Sequence, residues 1–268
     1  MTIEVLQFAF MQRALVAGIL MACALSLLGV FVVLRKSAFF GDAVAHFAFA
    51  GVALGFLLAI NPVAAAVAVS VVLALGIGYL QHRLPAQSLD TLIGVFFSGA
   101  AAFGIFLIGL LRGYRADLFQ FLFGDIIAVT PTDVWFALGI AAATGITFML
   151  LWRPFFKITF NRGIAHVAGV PVVLYDYIFL AMLAAVTAVS IKIIGIILVP
   201  ALLVVPAAAA KNISRSFRQM LFLSVILGTA SVIAGLIGSF YLNTAAGATV
   251  VLVSIIFFGA TLLIQKFR

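Results

Sequence analysis

Asp42 and His46 stand four residues apart in the run FFGDAVAHFAFAG, which is otherwise apolar. On a helix this spacing puts a carboxylate and an imidazole on one face, about 5–6 Å apart at Cβ. Carboxylate oxygen with imidazole nitrogen suits joint ligation of a divalent cation such as zinc, manganese or iron, and the absence of thiolates nearby argues against copper(I) or a structural zinc site. Two ligands do not complete a tetrahedral site, which takes four. The competing reading is that Asp42 and His46 hydrogen-bond each other or a neighbouring helix, with Asp42 shallow enough to reach water.

The elements that position this pair follow from composition. The chain has 268 residues, 66% of them hydrophobic and 8% charged, with a mean hydropathy of +1.37. Soluble domains carry about 25% charge, so a water-soluble globular domain is excluded. A bilayer-spanning helix needs about 20 apolar residues. Apolar segments fall at 14–34, 38–60, 62–80, 91–111, 133–152, 172–190, 193–210, 219–239 and 248–264. The fold class predicted is therefore all-α, a polytopic membrane protein of about nine transmembrane helices, with the whole chain 1–268 as one membrane domain. The lone Cys23 lies in the first run, so there is no disulfide framework or cysteine cluster. That run lacks a basic leader and reads as a retained helix, not a cleaved signal peptide.

Three breaks are very short: 35–37, Asn61 with Pro62, and Ile191 with Lys192. They demand tight hairpins or broken helices, tolerated at membrane depth only where protein or a water-filled cavity covers them. One set of alternate connections holds Arg35, Lys36, Arg83, Arg153, Lys157, Arg162, Lys211, Arg215, Arg218, Lys266 and Arg268; the other holds Arg13, Arg112, Arg115 and Lys192. The richer side is cytosolic, which places the N-terminus outside and the C-terminus inside for nine spans. The net charge of +8 is thus membrane topology and not a nucleic-acid footprint. The longer outer connection, 112–132, has an aromatic-rich centre suited to a short interfacial helix. The cytosolic connection 153–171 mixes basic and small residues and reads either as an amphipathic helix on the lipid surface or as a docking segment.

Ionisable groups within a bilayer cost about 2.5–3.5 kcal/mol near a helix centre, so each is a functional candidate. Beyond Asp42 and His46 the candidates are weaker. Asp90 and Asp176 lie near cytosolic helix ends, where Asp90 suits a cap or helix-dipole partner. His82 adjoins Arg83 in a cytosolic loop and reads as solvated, and His166 as a packing or interface residue. Asp125 sits where incoming cations or a partner protein would pass, and Lys192 would snorkel from the shortest outer hairpin. Pro200 and Pro206 interrupt one span. Gly51 and Gly55 match GxxxG, and Gly76/Gly78, Gly104/Gly109 and Gly235/Gly238 also favour close helix packing. No GxxxxGK[ST], HExxH or GxSxG motif occurs, so any ATP-driven work needs another polypeptide.

Taken in order, RKSAFFGDAVAHFAFAGVALGF, LDTLIG, FLFGDIIAVTPTD and IIGIILVPALLVVPAAAA resemble the zinc/manganese permease family of bacterial ATP-binding-cassette importers, the ZnuB-like type. The resemblance implies a non-enzymatic permease in the bacterial cytoplasmic (inner) membrane. Its implied partners are a cytosolic ATPase dimer, an extracellular metal-binding protein, a second copy of itself and the lipid bilayer, with no nucleic acid. It implies no permanently bound cofactor, the divalent metal being cargo, and the family's metal-coordinating Asp and His fall on Asp42 and His46. NRGIAHVAGV looks like the family's cytosolic coupling helix, so Asn161, Arg162, Gly163, Ala165 and Gly169 would form the ATPase contact, with Arg162 facing acidic groups on it. The FGDAVAH run, with Ala45 before His46 and Phe49-Ala50 before Gly51, looks closer to zinc-type than to manganese-type members. The alternatives are manganese or ferrous iron as cargo, or an ion-coupled secondary transporter in which Asp42 and His46 relay protons. A scaffolding membrane subunit is a third class.

Overall fold

The computed structural model describes residues 7–84, 86–110, 121, 124, 129–196 and 198–266. Ten helices fill the described residues: α1 (Ala9–Leu34), α2 (Phe39–Leu57), α3 (Pro62–Arg83), α4 (Leu89–Leu110), α5 (Pro131–Phe160), α6 (Arg162–Val167), α7 (Val172–Ile194), α8 (Val199–Ile213), α9 (Phe217–Leu242) and α10 (Ala246–Lys266). Eight of them are long and apolar enough to cross a membrane, and α8 is an apolar helix of 15 residues. Eight of the nine expected apolar segments are thus helices of full span length, and the ninth, expected at 193–210, is helical as α8 only from Val199. Most of the outer connection, including Arg112, Arg115, Asp125 and the expected interfacial helix, lies outside the described residues, as does Arg268.

The helix ends follow local chemistry. The Asn61 side chain accepts from the amides of Val63 and Ala64, and Pro62 occupies the first helical position, where its missing N–H costs nothing. Thr130 and Asp133 form a reciprocal capping box at the start of α5, again followed by a proline. The 35–37 break is a turn with Lys36 at φ 57°, closed by the Ser37 amide donating to the Val32 carbonyl at 3.0 Å.

Three expectations are corrected. Lys192 does not break the chain: α7 continues to Ile194 and ends at Gly195, whose φ of 97° suits a residue without Cβ. The first part of the cytosolic connection 153–171 belongs to a span. α5 runs on through Pro154 to Phe160, making it about 45 Å long, well beyond the roughly 30 Å hydrocarbon core. Pro200 also interrupts nothing, since it sits in the first turn of α8; only Pro206 is interior.

α1, α2 and α7 are the most buried spans, while α5 and α10 present most of their surface outward. α2 packs against α3 and α4, α3 against α7, and α1 against α9, α8 and α5. Close approach relies on small residues, as expected where lipid offers apolar side chains no hydrophobic gain over packing against protein. A Cβ on Gly51 would lie 2.6 Å from Ala66 Cα, and one on Gly55 2.8 Å from Pro62 Cα, so the GxxxG pair is the seam of the α2–α3 hairpin. Near the Lys/Arg-rich end, Phe31 of α1 meets Phe148 and Phe155 of α5, Phe179 of α7 and Phe217 of α9 at centroid distances of 5.5–6.1 Å.

Candidate metal site and coupling segment

Asp42 and His46 lie three and seven residues into α2, about 4–5 Å and 10–11 Å along its axis from the basic end. Both are half-buried. The His46 ring packs edge-on against Phe97 of α4, with centroids 4.4 Å apart. Among the described residues neither side chain makes a hydrogen bond or ion pair, and no third His, Cys, Asp or Glu joins them as a potential ligand. Behind the pair, Gly41 brings α2 against Leu203 and Pro200 of α8.

The segment singled out at Asn161–Gly169 is a discrete helical turn. Asn161 ends α5 and begins α6, its Oδ1 accepting from the Ile164 amide at 3.0 Å. Ala165 is fully buried on the inner face of α6, whereas Ile164 and Val167 are 68% and 89% exposed. At the far end Gly169 adopts φ 74°. Its amide donates to the His166 carbonyl and that of Val170 to the Ala165 carbonyl, both at 3.0 Å, a Schellman motif. Gly163 has only Asn161 Oδ1 nearby, so a flat, backbone-rich surface stands beside two exposed apolar side chains.

Arg162, expected to face acidic groups on the ATPase, pairs within the chain with Asp176. Asp176 is a buried carboxylate in the first turns of α7, and its other oxygen, Oδ1, accepts from Arg35 Nη1 at 3.1 Å. His82, expected to be solvated, places Nε2 3.8 Å from Asp176 Oδ2. Burial pushes the Arg35 guanidinium below its usual range, and the charge of Asp176 opposes that shift. A cavity of about 330 Å³ opens here, lined by Arg35, Lys36, Arg162 and Asp176 among others. Sequence reading missed this cluster. The available signal was that an acidic residue in an apolar helix seeks a partner, but which partner depends on packing.

At the opposite end Lys192 does not snorkel; its Nζ lies 2.6 Å from Asp133 Oδ2. Asp90 sits exposed in the first turn of α4, where its charge suits the helix dipole, but the capping group is Ser88 Oγ, 3.1 Å from the Thr91 amide.

An all-helical bundle of membrane spans, with a polar pair inside one span and a short capped helix outside the bundle, is the architecture of a polytopic membrane permease. The chain belongs to the ABC 3 transport family, whose model matches residues 7–265. It is 35% identical over 251 residues to the manganese transport system membrane protein MntC of Halalkalibacterium halodurans, covering 94% of this chain and 86% of that protein. It is also 35% identical over 252 residues to the high-affinity zinc uptake system membrane protein ZnuB of Haemophilus influenzae, covering 94% and 96%. Among solved structures it is similar to PsaBC from Streptococcus pneumoniae in complex with Fab, with a TM-score of 0.87, 32% identity, and coverage of 97% of this chain and 95% of that one. Family membership and the apolar spans make it a multi-pass protein of the bacterial inner membrane.

Proposed function

We propose that this chain, acting as one membrane domain over 1–268, is the permease subunit of an ATP-binding-cassette importer that moves a divalent metal ion, zinc foremost, into the cytoplasm by alternating access. The observation that carries the reading is the Asp42/His46 pair, one helical turn apart inside a span and free of protein hydrogen bonds among the described residues. A carboxylate and an imidazole desolvated in this way gain from meeting a cation. With two protein ligands from one chain, the remaining coordination positions fall to water or a second copy, which suits cargo that must be released.

The basic end faces the cytosol, the N-terminus lies outside and the C-terminus inside. Energy comes from a separate cytosolic ATPase dimer. It docks on α6 through Gly163, Ile164 and Val167, with Asn161 and Gly169 holding the helix ends and Ala165 and Arg162 fastening it to the bundle. An extracellular metal-binding protein delivers the ion at the opposite end, and a second copy of the chain completes the pathway.

Manganese is the second reading, favoured by the 35% identity to the manganese transport system membrane protein of H. halodurans. Borderline nitrogen and oxygen ligands bind zinc more tightly than manganese. Uptake of radiolabelled zinc by cells expressing the chain with its ATPase, with excess manganese as competitor, tests both. ATP-dependent zinc uptake that resists manganese is expected. Uptake abolished by manganese reassigns the cargo, and uptake that ignores ATP but collapses with an uncoupler refutes the importer.

A further inference from the structure

The Asp176 cluster lies where the docking helix meets the bundle, and its connectivity is unusual for an ion pair. The two carboxylate oxygens go to different partners: Oδ1 to Arg35, and Oδ2 to Arg162 with His82 Nε2 at 3.8 Å. Arg162 is the first residue of α6, Arg35 closes α1, His82 lies in the last turn of α3, and Asp176 belongs to α7. One carboxylate therefore ties four elements together. Arg35 adds a fifth, since its Nε donates to Thr159 Oγ1 in the last turn of α5 at 3.1 Å. Its guanidinium also lies 4.4 Å from the centroid of the Phe179 ring.

α6 is thus held twice. Covalently it follows α5 through Asn161, two residues after the Thr159 that Arg35 grips, and ionically it is held through Arg162. Any displacement of α6 pulls on the Arg35 guanidinium through both Nε and Nη1. Arg35 opens the turn 35–38, which leads directly into α2, and Asp42 is seven residues beyond Arg35. The route from the exposed docking helix to the candidate metal pair is therefore short: Arg162, Asp176, Arg35, the α1–α2 turn, Asp42.

We propose that Asp176 is the positioning residue of this subunit, fixing α6 against the bundle and transmitting its movement through Arg35 to the helix that carries Asp42 and His46. This rests on the importer reading above. Charge-assisted hydrogen bonds suit the role, being stronger and more directional than neutral ones.

The experiment uses the permease assembled with its ATPase in proteoliposomes and reads metal imported per ATP hydrolysed. Asp176→Asn keeps the shape and removes the charge, and Arg162→Met removes one partner at a half-exposed position, so it keeps the fold even if Asp176→Asn does not. Both are expected to lower the ratio at least tenfold while ATP hydrolysis continues, with Arg162→Lys restoring most of it. A double variant is expected to be no worse than either single one. Spin labels at Val167→Cys and Gln87→Cys, with Cys23→Ser, read the position of α6 without transport: one narrow distance distribution in the parent, broadened by Arg162→Met. Unchanged ratio and unchanged distance in Arg162→Met overturn the proposal. Failure of the parent complex to import any metal overturns the importer reading instead.

Discussion

Lys192 Nζ lies 2.6 Å from Asp133 Oδ2, joining the last turn of α7 to the first turn of α5 across 59 residues of chain. The same Oδ2 accepts from the Thr130 amide at 2.8 Å and from the Thr130 hydroxyl at 2.6 Å, so the carboxylate serves a helix cap and an ion pair together. Asp133 is 8% exposed. Lys192→Met leaves that carboxylate without its counter-charge, and the expected loss lies toward the low end of the roughly 3–5 kcal/mol found when one partner of a buried pair is removed. Lys192→Met with Asp133→Asn is expected to recover much of it. Thermal melting in detergent of both variants checks the order; equal Tm values would show that the pair contributes nothing.

At the proposed metal pair, stability and function are expected to separate. His46 touches Phe97 through its ring edge, a contact worth about 1 kcal/mol that Phe can replace. His46→Phe is therefore expected to melt within a few degrees of the parent while metal uptake falls at least tenfold, and Asp42→Ala is expected to do the same. Uptake at the parent rate in the double variant His46→Ala with Asp42→Ala removes the assignment.

The α2–α3 seam makes a steric prediction. A methyl on Gly51 meets backbone atoms, Ala66 Cα at 2.6 Å and the Ala65 carbonyl oxygen at 2.8 Å, which cannot step aside as a flexible side chain would. Gly51→Ala is expected to destabilise by about 1–3 kcal/mol through overpacking. Gly145→Ala, where nothing lies within 4 Å, is the control and is expected to be neutral or slightly stabilising through helix propensity. Chemical or thermal denaturation of the two in the same detergent decides.

Gly169 tests the proposed docking segment. Space around it is open, so the cost of Gly169→Val is conformational, about 1–2 kcal/mol for a side chain held at positive φ. The expected result is a frayed α6 and several-fold weaker ATPase binding in a pull-down, with little change in Tm of the bundle. Gly169→Asn, which tolerates this region, is expected to bind nearly as the parent does. Unaltered ATPase binding by Gly169→Val would remove α6 from the contact.

The spans were legible in the chain itself because apolar content and run length are local quantities, and in a bilayer every backbone group must bond within its own helix. The placing of Asp42 and His46 one turn apart on a single helix was legible for the same reason: four residues on a helix is a fixed geometry. The capping of α6 by Asn161 and its stop at Gly169 likewise belong to nearest-neighbour chemistry. The partners of charged residues were not. Arg35 is 141 residues from Asp176 and Lys192 is 59 from Asp133, and only packing of α1 and α5 against α7 brings them together. Lys192 read as the end of a helix because an unpaired charge would end one. Once tertiary structure supplies Asp133, the charge is neutralised where it stands, and α7 runs on to Gly195.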